Sequence, residues 1–216
     1  MDIINNSLYN FGTGNINSDN IKIDQYIINK YLHYKEGGIF IEAGGFDGLF
    51  QSNTFVLEKY LNWTGILVEP SYNQYEKCKY NRALVSFDYN EEFIKGDFED
   101  SSPMSSINGE RRGSKQLIQV KISTLQSILD ELNITKVDFF SLDVEGYELS
   151  VLKGIDFNKV KFDLILIEFN PSNLDELIYF ITERNYEFIE NISNYRKETN
   201  PGWDGLHNDY LFRYKE

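Results

Sequence analysis

The amino-acid sequence predicts an α/β fold with a Rossmann-like, doubly wound and mostly parallel sheet that ends in an antiparallel C-terminal edge. Short apolar runs, of the kind buried on both faces of a sheet, alternate with segments of helical periodicity. Such alternation calls for a parallel sheet covered by helices on both sides. The last two runs alternate apolar and polar residues instead, as the strands of a hairpin do, and mixed sheets often carry such an edge.

Helices and strands alternate strictly along the first part of the chain. Two glycines end the first helix, and Pro70 stops the second strand. The predicted elements are a helix over 19–34, a strand over 38–43, a helix over 53–62, a strand over 64–70, a helix over 71–81 and a strand over 83–89.

A loop is predicted over residues 90–116, and regular elements then resume. They are a strand over 117–122, a helix over 123–134, a strand over 137–143, a helix over 147–155, a strand over 162–170, a helix over 173–185, and strands over 186–193 and 208–215. No internal repeat or flexible linker divides the chain. The sequence therefore predicts one domain over 1–216, with an N-terminal helical segment (1–36) and a Rossmann-like core (37–216).

Composition narrows the classes of protein and partner. The chain has 216 residues and a formal net charge of -13, so nucleic acid is not an expected partner. No apolar run approaches the roughly 20 residues of a membrane helix, and the N-terminus lacks the features of a signal peptide. A single cysteine, Cys78, fits a reducing compartment, so a cytoplasmic location is expected. The oligomeric state stays open, a homodimer included.

Four predicted strands end on or beside an acid: Glu42, Glu69, Asp143 and Glu168. Ligands of open α/β sheets bind beyond the carboxyl ends of the strands, where the strand order reverses. One such acid is equally well explained as a helix cap. Four at the same topological position favour a ligand site.

Glycines at 44, 45 and 48 lie in the first strand-to-helix turn, where a ligand can approach a backbone that lacks Cβ atoms. The dinucleotide fingerprint fails, because Phe46 and Leu49 stand where its second and third glycines would fall. A phosphate-binding P-loop motif is also missing from the sequence. The turn therefore suits a ligand without phosphates.

Acids around this turn suggest what such a ligand carries. Glu42 or Asp47 could hold a cationic amine, and Glu69 could accept both hydroxyls of a ribose. S-adenosylmethionine has an amine, a ribose and an adenine but no phosphate, and it fits these groups.

The sequence resembles the FkbM-like family of S-adenosylmethionine-dependent methyltransferases from about residue 38 to residue 170. The stretch "DVEGYE" followed by "VLKG" is quite specific to that family, whereas Gly45-Phe46 is a mild departure from it. The motifs that carry the resemblance are "FIEAGGFDGLFQSNT", "NWTGILVEPSYNQYEKCKYNR", "ISTLQSILDELNITKVDFFSLDVEGYELSVLKGIDF" and "LILIEFN".

The resemblance implies a class I methyltransferase fold and a cofactor site assembled from several turns. It implies that the loop over 102–107 closes over the cofactor. It also implies that the methyl acceptor is a hydroxyl of a sugar, a glycan or a small metabolite. The implied cofactor-binding residues are Glu42, Gly44, Gly45, Asp47, Gly48, Asn53, Glu69, Pro70, Val85 and Ser86.

Asp143 is the first candidate for the catalytic base, and Glu145 is the second. Asp143, Glu168 and Asn170 also resemble the oxygen ligands that divalent-metal O-methyltransferases place at these two strand ends. Mg²⁺ takes such ligands and would lower the pKa of a bound hydroxyl. Base and metal ligand therefore remain alternatives for Asp143.

Several polar or aromatic residues have simpler interpretations. Glu148, Lys153 and the basic stretch over 110–115 are expected on the surface, and Trp63 in the core. The loop with Trp203 and His207 is either a tight turn or one wall of a sugar-binding cleft.

Two other functions remain open at this stage. A dehydrogenase is disfavoured by the missing glycines. A non-catalytic interaction domain on the same fold is the stronger alternative, because a fold does not guarantee activity.

Overall fold

The computed structural model describes residues 14–71, 80–98 and 102–216. The strands of this part of the chain are β1 (Ile39–Ala43), β2 (Thr64–Val68), β3 (Ala83–Leu84), β4 (Phe93–Gly96), β5 (Ile118–Ser123), β6 (Lys136–Leu142), β7 (Lys161–Phe169), β8 (Tyr186–Asn191) and β9 (Asn208–Tyr214). The α-helices are α1 (Ile23–Ile27), α2 (Phe55–Leu61), α3 (Leu125–Leu132), α4 (Glu148–Lys153) and α5 (Leu174–Thr182).

Six strands form the central sheet in the order β2-β1-β6-β7-β9-β8. The first four run parallel, and β9 is antiparallel to both of its neighbours. The predicted mixed sheet with an antiparallel C-terminal edge is thus confirmed. Strand order reverses between β1 and β6, so the carboxyl ends of these two strands are where this topology places a ligand.

Both faces of the sheet are covered by helices, because neighbouring residues of a strand point to opposite sides. Phe139 packs with the residues of α1 and α2, whereas Phe140 packs with those of α3, α4 and α5. Both rings are fully buried. A doubly wound sheet therefore explains why β6 and β7 are continuous apolar runs. Trp63 is buried in the first of these layers, as predicted.

Three shorter strands form a second sheet in the order β3-β5-β4. The prediction of a loop over 90–116 was wrong at its start, because residues 93–96 form β4 and Gly96 bridges to Ile107. Conversely, the strand predicted over 83–89 stops at Leu84, where a turn begins. Most of the helix predicted over 71–81 lies outside the described residues.

The predicted N-terminal helix over 19–34 is shorter than expected. The Oδ1 atom of Asn17 accepts hydrogen bonds from the backbone N–H groups of Asp19 and Ile21, which makes a turn of these residues. Helix α1 begins only at Ile23 and continues as a π-helical turn over Ile28–Leu32. No helix in the described segments is long and apolar enough to cross a membrane.

Helix α3 offers a small test of the local interpretation of the sequence. The Thr124 side chain caps it by accepting a hydrogen bond of 3.1 Å from the Ser127 N–H. Thr124→Ala should lower the free energy of unfolding by about 1 kcal/mol. Thr124→Ser keeps the hydroxyl and should stay close to wild type in urea denaturation. Equal losses in both variants would show that the cap contributes nothing.

Candidate active site

Two cavities meet at the point where the strand order reverses. The larger cavity, about 660 Å³, is open, and the smaller cavity, about 40 Å³, is nearly closed. Gly44, Asp143 and Glu145 line both. Residues of the 102–107 loop also line them, Pro103 and Met104 the larger and Ser105 and Ile107 the smaller.

Gly44 joins the two strand ends and cannot carry a side chain. Its φ is +81°, and a Cβ atom there would lie 1.6 Å from the backbone oxygen of Asp143. The register explains this contact, because Ala43 pairs with Leu142 and the Asp143 N–H donates to the Ala43 carbonyl at 3.0 Å. The glycine thus lets the backbone after β1 lie directly against the backbone after β6.

The rest of the turn is held in an unusual backbone conformation. Gly48 has a φ of +65°, and Phe46 has a φ of +40° although it is not a glycine. The Phe46 ring makes an edge-to-face contact with Phe50, and both residues line the larger cavity. Gly45 lines this cavity too, and a Cβ there would meet Leu67 at 3.3 Å.

Glu42 is 4% exposed and organises the entry to α2. Its carboxylate accepts hydrogen bonds from the Ser52 hydroxyl (2.7 Å), the Asn53 N–H (2.7 Å) and the Thr54 hydroxyl (2.8 Å). Burial raises the pKa of Glu42 to about 7, against the effect of these donors. Glu42 also lines the larger cavity, so it can act on a ligand as well as on the loop.

Glu69 closes the other side of the turn. One carboxylate oxygen accepts from the Phe46 N–H (3.1 Å) and the other from the Ser71 N–H (2.9 Å). Burial raises the pKa of this carboxyl. Each oxygen retains a lone pair, so the group can still accept ribose hydroxyls. Pro70 lies beside it in the wall of the smaller cavity.

Four expected cofactor residues lie outside the walls of these cavities. Asp47 accepts hydrogen bonds from the Leu49 and Phe50 N–H groups, and Asn53 donates to the Ser141 hydroxyl at 3.1 Å. Val85 and Ser86 follow β3, but the wall of the smaller cavity is made by the two preceding residues, 83 and 84. The cofactor-binding roles of Asp47, Asn53, Val85 and Ser86 stay predictions.

Three acids form what we call the carboxylate cluster: Asp143, Glu145 and Glu168. Each has one carboxylate oxygen within 4.8 Å of those of the other two. Burial, and then the charges of neighbouring acids, raise the pKa of Asp143 and of Glu168 well above the usual range. The Oδ1 atom of Asp143 has no hydrogen-bond partner among the described residues.

Asn170, expected beside Asp143 and Glu168, is engaged elsewhere. Its Oδ1 atom accepts hydrogen bonds from the N–H (2.9 Å) and the hydroxyl (2.8 Å) of Ser172 and so caps the short 3₁₀ turn Pro171–Asn173. Glu145, and not Asn170, completes the cluster. The ligand set with Asn170 stays a prediction, and it would require this cap to open.

Glu148 was expected on the surface, and this was wrong. The side chain is buried and accepts hydrogen bonds from the backbone N–H groups of Val144 (3.1 Å) and Gly146 (2.9 Å). Burial raises its pKa to about 7. Glu148 thereby fixes the turn that carries the carboxylate cluster, where Glu145 adopts a φ of +54°. Lys153 is exposed, as predicted.

Arg111 was likewise missed, because the stretch over 110–115 was expected to be a solvated loop. Its guanidinium donates to Glu145 (2.8 Å) and to Asp204 (2.8 Å) and lines the larger cavity. It thus links the carboxylate cluster to the loop between β8 and β9. Contacts across such distances in the sequence leave no local signal.

The loop between β8 and β9 supplies the outer wall of the larger cavity. Tyr195, Trp203 and His207 line it, and the Trp203 indole N–H donates to the His207 carbonyl at 2.8 Å. Burial lowers the pKa of His207. Of the two interpretations of this loop, the position of the aromatic rings favours a wall of a binding cleft.

Comparison with known proteins gives a family and distant structural neighbours. One neighbour is described as a ribosomal RNA methyltransferase from Plasmodium falciparum (10% identity, TM-score 0.47, covering 88% of this chain and 93% of that chain). Another is a precorrin-6y C5,15-methyltransferase from Geobacter metallireducens (11% identity, TM-score 0.44, covering 88% and 87%). No curated protein gives a significant match.

The family model of the FkbM methyltransferase domain matches residues 42–188. This match spans more than half of the chain and includes β1, the carboxylate cluster and all strands up to β7. The chain therefore belongs to the FkbM methyltransferase family.

Proposed function

We propose that this protein transfers a methyl group from S-adenosylmethionine to a hydroxyl of a sugar, a glycan or a small metabolite. The observation that carries the proposal is the carboxylate cluster beside Gly44, at the point where the strand order reverses. A methyl group placed there would lie between the cofactor turn and a set of proton acceptors.

The two cavities divide the expected ligands between them. The smaller cavity, with Glu69 and Pro70 in its wall, suits the nucleoside part of the cofactor. The larger cavity suits the methionyl part and the acceptor, because it reaches from Glu42 to the aromatic rings of the β8–β9 loop. Such rings stack on sugar rings, which supports an acceptor of that class.

The chemistry is an in-line displacement. The acceptor oxygen forms a bond to the methyl carbon, the carbon–sulfur bond breaks, and S-adenosylhomocysteine leaves. The protein has to align the two groups and take up the hydroxyl proton. Asp143 is placed for the second task, because it follows β6 beside Gly44 and its Oδ1 atom has no partner in the described part of the chain.

Cofactor binding gives the first test. Calorimetry should detect binding of S-adenosylmethionine and of S-adenosylhomocysteine to the wild type. Glu69→Ala should weaken both by about 1–3 kcal/mol, because charge-assisted hydrogen bonds are lost. Glu176→Ala, on the exposed side of α5, is the matched control and should bind normally. A wild type that binds neither compound would end the methyltransferase proposal.

The acceptor needs a separate experiment. Mass spectrometry of products from a panel of glycans and small polyols should show a gain of one methyl group. Cofactor binding without any product over a broad panel would favour the alternative, a non-catalytic interaction domain on a methyltransferase fold. The cytoplasmic location also stays a prediction.

A further inference from the structure

The carboxylate cluster is more negative than methyl transfer alone requires. Asp143, Glu145 and Glu168 converge at the ends of two neighbouring parallel strands. Among the described residues that line the larger cavity, Arg111 is the basic side chain that reaches them, and it is shared with Asp204. Buried carboxylates without matching positive charge are costly.

We propose that Asp143, Glu145 and Glu168 bind a hard divalent cation of the Mg²⁺ or Mn²⁺ kind. In its catalytic meaning this inference rests on the proposed function, because the cation would orient the acceptor hydroxyl and lower its pKa. Cation binding itself can be tested without any methyl transfer.

The spacing of the oxygens fits such an ion. Opposite oxygen ligands lie about 4.2 Å apart around Mg²⁺ and about 4.8 Å apart around Ca²⁺. The three carboxylates already offer oxygens within 4.8 Å of one another. Glu145 can keep its hydrogen bond to Arg111 through one oxygen and still offer the other oxygen to the ion. Only small side-chain shifts are needed to close the site.

Asp209 provides an independent observation. It is 5% exposed, and its Oδ2 atom has no hydrogen-bond partner in the described segments. It pairs with Glu168 in the antiparallel register of β7 and β9, so both side chains project from the same face of the sheet. After burial, the charges of Asp143 and Asp209 are what raise the pKa of Glu168. A fourth buried carboxylate with a free oxygen therefore adjoins the cluster.

This charge could be neutralised in three ways. The acids could be protonated, the sulfonium of the cofactor could compensate them, or a metal ion could. Arg111 does not suffice, because one guanidinium faces at least Glu145 and Asp204. The number of oxygens, their spacing and the lack of nitrogen or sulfur ligands favour a hard cation.

Mn²⁺ titration followed by electron paramagnetic resonance tests the proposal on the intact, cofactor-free protein. We expect one bound Mn²⁺ per chain, displaced by Mg²⁺. Glu168→Gln should weaken binding by about tenfold or more. Glu176→Gln removes the same charge from an exposed helix position and should bind like the wild type.

Two further measurements separate metal loss from unfolding and from failure of the methyltransferase proposal. Without metal, Glu168→Gln should be at least as heat-stable as the wild type, because it removes a repelling charge, and added Mn²⁺ should stabilise only the wild type. S-adenosylhomocysteine binding to the wild type, without detectable Mn²⁺ binding, overturns the cation site and leaves the proposed function intact. Equal Mn²⁺ binding in wild type and Glu168→Gln overturns the ligand set.

Discussion

Asp143→Asn should lower the turnover number about 10²–10⁴-fold while cofactor binding stays nearly unchanged. Asparagine keeps the shape of the side chain and its place beside Gly44, but it loses the negative charge that accepts a proton or binds a cation. The measurement is initial methyl transfer from labelled S-adenosylmethionine at saturating acceptor, with binding of S-adenosylhomocysteine measured in parallel.

A chelator separates the two roles of Asp143. If it acts only as a base, the wild type keeps its activity in the presence of a chelator. If it holds a cation, chelation abolishes the activity and added Mg²⁺ restores it. Asp175→Asn, an exposed position on α5, is the control for the change of charge. Near-normal turnover of Asp143→Asn would place the chemistry on another strand end.

The central sheet could be predicted from sequence because its strands are locally unambiguous. Strands buried on both faces appear as continuous apolar runs, and β6 and β7 are such runs. The edge strands β8 and β9 alternate instead, which identified the hairpin. Strand β4 escaped because it has four residues and only Ile94 and Gly96 are buried. A pattern that short does not differ from a loop.

The acids at the strand ends were found, but their separate roles were not. Glu42 combines the two interpretations weighed for such acids, since it organises the entry to α2 and also lines the larger cavity. Asp143 differs, because its Oδ1 atom makes no hydrogen bond within the described ranges. Only three-dimensional contacts separate a carboxylate whose acceptors are used from one whose oxygen is free.

Arg111 and Glu148 show a second limit of sequence analysis. Arg111 is separated from Glu145 and Asp204 by long stretches of chain, and its role appears only once the loops are folded together. Glu148 follows the motif of the fourth parallel strand and was assigned to the exposed side of a helix. It points inward because the turn before α4 offers two N–H groups that need an acceptor.

Glu42 should make stability fall as the pH rises. Its pKa is about 7 in the folded protein, above its ordinary value of 4.5. Between these values the folded state keeps a proton that the unfolded state releases. The contribution is therefore fully present below pH 4.5 and is lost as the pH rises through about 7, a change of about 3 kcal/mol in the free energy of unfolding.

Glu42→Gln isolates this contribution, because other buried acids also give stability a pH dependence. Glutamine carries no ionisable proton, so urea denaturation between pH 4 and 8 should give the variant a flatter curve than the wild type. A loss of hydrogen bonds to Ser52 and Thr54 would shift the whole curve downwards without restoring its slope. Glu58→Gln, exposed on the same helix α2, should retain the wild-type slope. Parallel curves for Glu42→Gln and the wild type would mean that Glu42 is ionised throughout this range, with its charge carried by the three donors alone.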